Sequence, residues 1–112
     1  MSLRQEKFAD QIRDIVASCF LGDILQDPRL LGVTITHVRV SSDLQFASIY
    51  FRLYEKDQME GALKALSHCR SLFRRKIAAE IKVRRVPELR FLYDESVERG
   101  AHIEELLRQI NK

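Results

Sequence analysis

The residue types best placed to do chemistry in this chain are its arginines and lysines. Between Arg70 and Arg90, 21 positions hold eight bases (Arg70, Arg74, Arg75, Lys76, Lys82, Arg84, Arg85 and Arg90) against two acids, Glu80 and Glu88. That leaves a local net charge of +6, whereas the 112-residue chain carries +3, so the other 91 positions sum to −3. Like charges held in a folded segment repel one another, and a polyanion is their commonest counterpart. Lysine and arginine contacts to phosphate supply affinity rather than base readout. Arg75 and Lys82, seven apart, are expected on one helix face turned away from Phe73, Ile77 and Ile81, with Arg84 and Arg85 directly after. Arg70 and Ser71 fall at a joint between two helices, where a helix N-terminus adds a seat for phosphate. Arg74 lies at the edge of the apolar stripe, where its stem covers core while its head reaches water.

Catalytic groupings are weak by comparison. His37, His68 and His102 are scattered and lack the helical HxxxH or HExxH spacing of zinc sites. Gly22, Gly32, Gly61 and Gly100 are isolated, so no phosphate-cradling glycine loop is expected. Asp43 and Asp94 could be imagined as a metal-binding nuclease pair, yet the first belongs to a hairpin turn and the second to a helix start. His68 and Cys69 are adjacent on a helix and so point about 100° apart. The expectation is a protein that is not an enzyme, with no cofactor and no metal. Phe46, Tyr50 and Tyr93 are read as packing residues of strands, which leaves recognition by shape and backbone rather than by base stacking.

The elements that hold the basic block follow from periodicity. Phe8, Ile12, Ile15, Val16, Cys19 and Phe20 form a helical stripe within residues 4–21, closed by Gly22 as a cap. Asp27-Pro28-Arg29 is turn chemistry. Residues 33–40 are rich in β-branched types, Ser41-Ser42-Asp43 turns, and Ala47, Ile49, Phe51 and Leu53 then alternate with Ser48, Tyr50 and Arg52. These two runs predict a β-hairpin. Asp57 is placed to cap a helix carrying Met59, Leu63 and Leu66, with Ala62 and Ala65 beside them. The helical phase breaks at residues 68–71 and restarts as Phe73, Ile77 and Ile81, which predicts two helices with a tight joint. After Pro87, residues 89–93 read as a third strand, and Ser96 is placed to cap a last helix with Ile103, Leu106, Leu107 and Ile110. The predicted order is α-β-β-α-α-β-α: an α+β domain, three strands with helices mainly on one face.

Composition narrows the class. Hydrophobic residues at 46% and charged residues at 31% suit a globular chain, and the length suits a single domain over residues 1–112. No apolar run reaches the roughly 20 residues of a membrane span, and residues 1–7 hold no signal-like apolar core. Two cysteines, Cys19 and Cys69, make no disulfide framework and fit a reducing compartment, so a cytoplasmic location is expected.

The chain resembles the ribosome-binding factor A family. The resemblance is carried by Asp27-Pro28-Arg29, then Thr34-x-Thr36-x-Val38-x-Val40-Ser41-x-Asp43-Leu44-x-x-Ala47. It continues with Arg84-x-x-Pro87-Glu88-Leu89-x-Phe91 and Asp94-x-Ser96-x-x-x-Gly100-x-x-Ile103. What it implies is a KH-like (type II) domain in which an Ala-x-Gly kink stands where other KH domains have a GxxG loop. Here the kink falls on Cys69-Arg70-Ser71, with serine in place of the glycine and cysteine in place of the alanine. The resemblance further implies a monomeric, non-catalytic RNA-binding assembly factor for the small ribosomal subunit. Such a factor binds 16S rRNA in the precursor, assists late maturation and rRNA end processing, and serves cold adaptation, with an assembly GTPase as a candidate partner. On that reading Arg70, Ser71, Arg74, Arg75, Lys76, Lys82, Arg84, Arg85 and Arg90 contact RNA. The rival reading is a protein-interaction module that docks on a ribosomal protein or an assembly GTPase.

Overall fold

The structure, a computed structural model, describes residues 2–22, 24–96 and 106–110. Helix α1 (Leu3–Ser18) starts on a capping box: the Gln5 N–H donates to Ser2 Oγ at 3.2 Å, and the Ser2 N–H donates to Gln5 Oε1 at 3.0 Å. Of its predicted stripe, Phe8, Ile12, Ile15, Val16 and Cys19 are buried and Phe20 is half-buried, and Ala9 is buried beside them. Gly22 does not cap it. The helix tightens into i→i−3 bonds from Cys19, Phe20 and Leu21, each at 3.1 Å, and Gly22 is not left-handed. Among the described residues, only Gly32 (φ 81°) and Leu44 (φ 61°) take positive φ, both in turns flanking the hairpin strands.

Strands β1 (Thr34–Val40) and β2 (Phe46–Arg52) form the predicted antiparallel hairpin, and β3 (Glu88–Tyr93) pairs in parallel with β2, giving the order β1-β2-β3. The hairpin loop is built by its own side chains. Ser41 Oγ accepts from the backbone N–H groups of Gln45 (3.2 Å) and Phe46 (3.0 Å) and donates to Asp43 Oδ1 at 2.6 Å. A parallel return needs a long crossover. Helices α2 (Met59–His68) and α3 (Arg70–Glu80) provide it, joined by Cys69 alone.

The core lies between the helices and one sheet face. Val38, Val40, Ala47, Ile49, Phe51, Leu89 and Phe91 meet Ile12, Val16, Ala62, Leu66, Phe73 and Ile77 there. The period-2 alternation in β2 is complete: Ala47, Ile49 and Phe51 are buried while Phe46, Ser48, Tyr50 and Arg52 face outward.

Other helix ends also differ from what the sequence suggests. Asp57 sits in a 3₁₀ turn (Lys56–Gln58) ahead of α2, which starts without a side-chain cap. Ser71 is already inside α3 and makes no capping bond; the break comes from Cys69, whose ψ of 1° leaves the helical range. The Ser96 N–H donates to Asp94 Oδ1 at 2.9 Å, and the helix Ser96 is expected to cap lies, over 97–105, outside the described residues. Helix α3 also ends early, because Ile81 turns extended (φ −116°, ψ 127°) to tuck against the core beside Val83 and Val86. Lys82 therefore lies beyond the helix and shares no helical face with Arg75. In the last predicted helix, Ile103 lies outside the described residues. Residues 106–110 are helical, with Leu106, Leu107 and Ile110 exposed at 44%, 54% and 75%.

Candidate nucleic-acid interface

Helical geometry divides the bases of α3. At 100° per residue, Phe73 and Ile77 define the buried direction. Arg70 and Arg74 then flank it on one side, Lys76 on the other, and Arg75 points straight out. The structure follows this division. Arg70 and Arg74 line a groove with Gln45, Phe46, Arg85, Val86 and Glu88, whereas Arg75 and Lys76 line a separate, mostly apolar hollow with Ile24, Leu72 and Ala79. The basic block is therefore two surfaces, not one.

The first surface is fixed by the sheet. The Glu88 N–H donates to the Gln45 carbonyl at 2.8 Å, which ties the segment after α3 to the hairpin loop. Arg74 Nη2 donates to the Val86 carbonyl at 3.3 Å across the same gap. Arg85 is thereby brought beside Arg70 and Arg74, and it also lines a second groove with Arg4, Phe8, Asp43, Leu44, Gln45, Lys82, Val83 and Arg84. The two grooves share Gln45 and Arg85, so Arg70, Arg74, Arg85, Arg84, Lys82 and Arg4 line one band in which bases outnumber the acids Glu88, Asp43 and Glu80, extended by Lys7 beside Lys82. None of these bases forms an ion pair among the described residues; ion pairs are made instead by Arg13, Arg29 and Lys56. Within the first groove Arg70 Nε is buried with no hydrogen-bond partner.

Ser71 is exposed in the first turn of α3, at the joint with Arg70. Arg90 is on neither groove. It stands on the outer sheet face with its guanidinium 4.5 Å from the centre of the Phe46 ring, and Phe46 lines the first groove. Arg4 and Lys7 were missed in the sequence, although a signal was present. Both lie in the opening turns of α1, where the helix dipole disfavours cations, so they break a local rule.

The other chemistries find no geometry. Asp43 and Asp94 lie at opposite ends of β2, roughly 20 Å apart for a strand of that length, so they share no metal. Asp94 instead accepts from Thr36 Oγ1 (2.6 Å) and the Ser96 N–H, and its side-chain and backbone hydrogen bonds from Ser96, with Thr36, hold its carboxyl down at about 2. Burial pushes both cysteine thiols up, which suits packing rather than nucleophilic attack. Among the described residues no cluster of three or more His, Cys, Asp or Glu could hold a metal ion.

Comparison with known proteins is decisive for the family. The sequence model described as Ribosome-binding factor A matches residues 4–107. The chain belongs to the ribosome-binding factor A family. A Ribosome-binding factor A protein of Chromohalobacter salexigens is 45% identical over 107 residues, covering 93% of this chain and 81% of that one. The crystal structure of ribosome-binding factor A from Thermus thermophilus superposes with a TM-score of 0.71 at 31% identity, over 80% of this chain and 93% of that one. A Thermus thermophilus ribosome-binding factor A homology model, fitted into a cryo-EM map of a 30S complex of that protein, gives 0.64 at 32% identity, over 78% and 91%. The α-β-β-α-α-β order and mixed sheet agree with these ribosome-binding factor A folds and with a KH-like arrangement. The residues that carried the resemblance shape the grooves: Ser41 and Asp43 build the hairpin loop, and Arg84, Pro87 and Glu88 lie in or end the segment that crosses it.

Proposed function

We propose that the protein is a single-domain, non-catalytic assembly factor that binds the precursor of the small ribosomal subunit through 16S rRNA. The cationic band would grip the RNA backbone, with Arg70, Arg74 and Arg85 at its centre and Lys82 and Arg84 beside them. The observation that carries this is the groove at the α2–α3 joint, where Arg70, Arg74 and Arg85 converge beside Glu88 with no ion pair among the described residues. Binding one rRNA conformer better than another shifts the subunit toward it, which is how such a factor assists late folding, end processing and growth in the cold. The work needs no cofactor. It fits a cytoplasmic monomer, and no described helix is long and apolar enough to cross a membrane.

A second surface favours a protein partner. Arg75 and Lys76 border apolar Ile24, Leu72 and Ala79, a mixture better matched to an acidic, partly apolar protein than to phosphates alone. A ribosomal protein or an assembly GTPase is the proposed class.

Filter binding to protein-free 16S rRNA tests the first reading. With about four to six phosphate contacts, the log–log salt slope should be of order −3 to −4, and Arg70→Gln with Arg74→Gln should make it shallower by about 1.4. An unchanged slope in that double variant would contradict the groove's role. Loss of a protein partner in Arg75→Glu with Lys76→Glu, with rRNA binding intact, would support the second surface.

A further inference from the structure

The outer face of the sheet carries a second pattern that the grooves do not use. Register places Arg39 opposite Ser48 and Ser48 opposite Arg90, so the two arginines flank one serine in a row across all three strands. At the usual strand spacing they are roughly 9.5 Å apart through their backbones. Neither forms an ion pair among the described residues. On either side of the row stand aromatic rings. Phe46 lies under the Arg90 guanidinium, and Tyr50 tilts against His37 with ring centres 5.7 Å apart. Arg39 Nε also donates to His37 Nε2 at 3.4 Å, so the imidazole links the tyrosine to the arginine. Arg39, His37 and Arg90 are exposed, and Phe46, Ser48 and Tyr50 are half-exposed, so Phe46 and Tyr50 stand on the outer face and are not the core packing residues the sequence suggests.

We propose that this sheet face binds an unpaired segment of RNA, its bases stacking on the Arg90–Phe46 pair and on Tyr50 and its backbone held by Arg39. The proposal deepens the RNA-binding reading above and rests on it. Three features favour this occupant. Unneutralised guanidinium groups alternate with rings, the composition of single-strand platforms. Flat guanidinium planes and aromatic faces accept any base, whereas an A-form duplex exposes no base face to stack. Phe46 also lines the Arg70 groove, so a strand leaving that groove meets the platform without a gap. Acids bound the platform: Glu88 pairs with Phe46 at one end, while Asp94 and Glu95 lie at the other, beyond Tyr50. The cationic row therefore fixes where the strand crosses.

The test uses the full chain and a 12-nucleotide single-stranded RNA with a central 2-aminopurine, whose fluorescence falls when it stacks. Wild type should bind with clear quenching. Arg39→Gln with Arg90→Gln should weaken binding at least tenfold, and Tyr50→Leu should remove much of the quenching at saturation. Arg70→Gln with Arg74→Gln should lower affinity yet keep the quenching, since the platform is untouched. Circular dichroism checks that each variant folds, and Ser48→Glu, an acid set between the two arginines, repeats the first comparison independently. If the sheet-face variants bind and quench like wild type while the groove variant loses affinity, the platform is overturned and the groove reading stands. If polyaspartate competes as well as the RNA at equal charge, stacking contributes nothing and the proposal fails. If wild type binds neither this RNA nor 16S rRNA, the RNA-binding reading itself fails.

Discussion

Asp94 shows how one side chain can tie several elements together. It follows β3, accepts from Thr36 of β1 and from the Ser96 backbone, and its carbonyl accepts from Arg52 Nη1 at 2.7 Å. Those hydrogen bonds favour the carboxylate, holding its pKa at about 2 against an unfolded value near 4. The group is depressed, so its contribution is complete above about pH 4 and fades as pH falls through the folded value near 2. Exposure screens the contribution to under about 1 kcal/mol. Urea midpoints measured from pH 5 down to 2.5 should fall less steeply in Asp94→Asn than in wild type. Parallel curves would show that the Asp94 hydrogen bonds do not favour its ionised form.

At the level of elements, α2 contains an improvable position. Gly61 sits inside the helix, and a Cβ there would meet the Arg29 stem at 3.6 Å, an ordinary contact. Alanine would reduce the backbone freedom of the unfolded chain and keep that contact, so Gly61→Ala should stabilise by about 0.5–1 kcal/mol. A raised urea midpoint with unchanged slope is the expected readout. The α2–α3 joint depends on packing below it. Phe73, four residues after the break, is fully buried among Phe20 and Phe91 rings. Phe73→Ala should cost about 3–5 kcal/mol and blur the groove, because the arginines on either side are positioned by that anchor. A variant that kept wild-type stability would mean the joint is held by something else.

At the scale of the whole molecule, the bases of the groove band lie close together without ion pairs among the described residues, which opposes folding while it invites RNA. Salt screens both effects, since the Debye length falls to about 8 Å at 0.15 M. Raising salt from 50 to 300 mM should therefore increase the thermal midpoint slightly while weakening rRNA binding steeply. The two dependences should have opposite sign in one buffer series. In Arg70→Gln with Arg74→Gln the gain in midpoint should shrink. If wild type lost stability with salt, attraction rather than repulsion would dominate its surface.

Much of this architecture was legible residue by residue. Alternation from Ala47 to Leu53 assigned β2 and both its faces, and the phase break at residues 68–71 located the joint, because local side-chain period reports which face a packed element buries. Even the separation of Arg75 and Lys76 from Arg70 and Arg74 follows from 100° per residue. Caps are less legible. Gly22 and Asp57 have suitable chemistry, but tertiary packing chose where their helices stopped or began. The decisive event for the interface was long-range. Parallel pairing of β3 with β2 brings Glu88 to Gln45, and with it Arg85 to Arg70 and, through the neighbouring groove, Arg4. No local pattern encodes that meeting, because its energy lies in contacts between segments far apart in the chain and exists only once the core has closed.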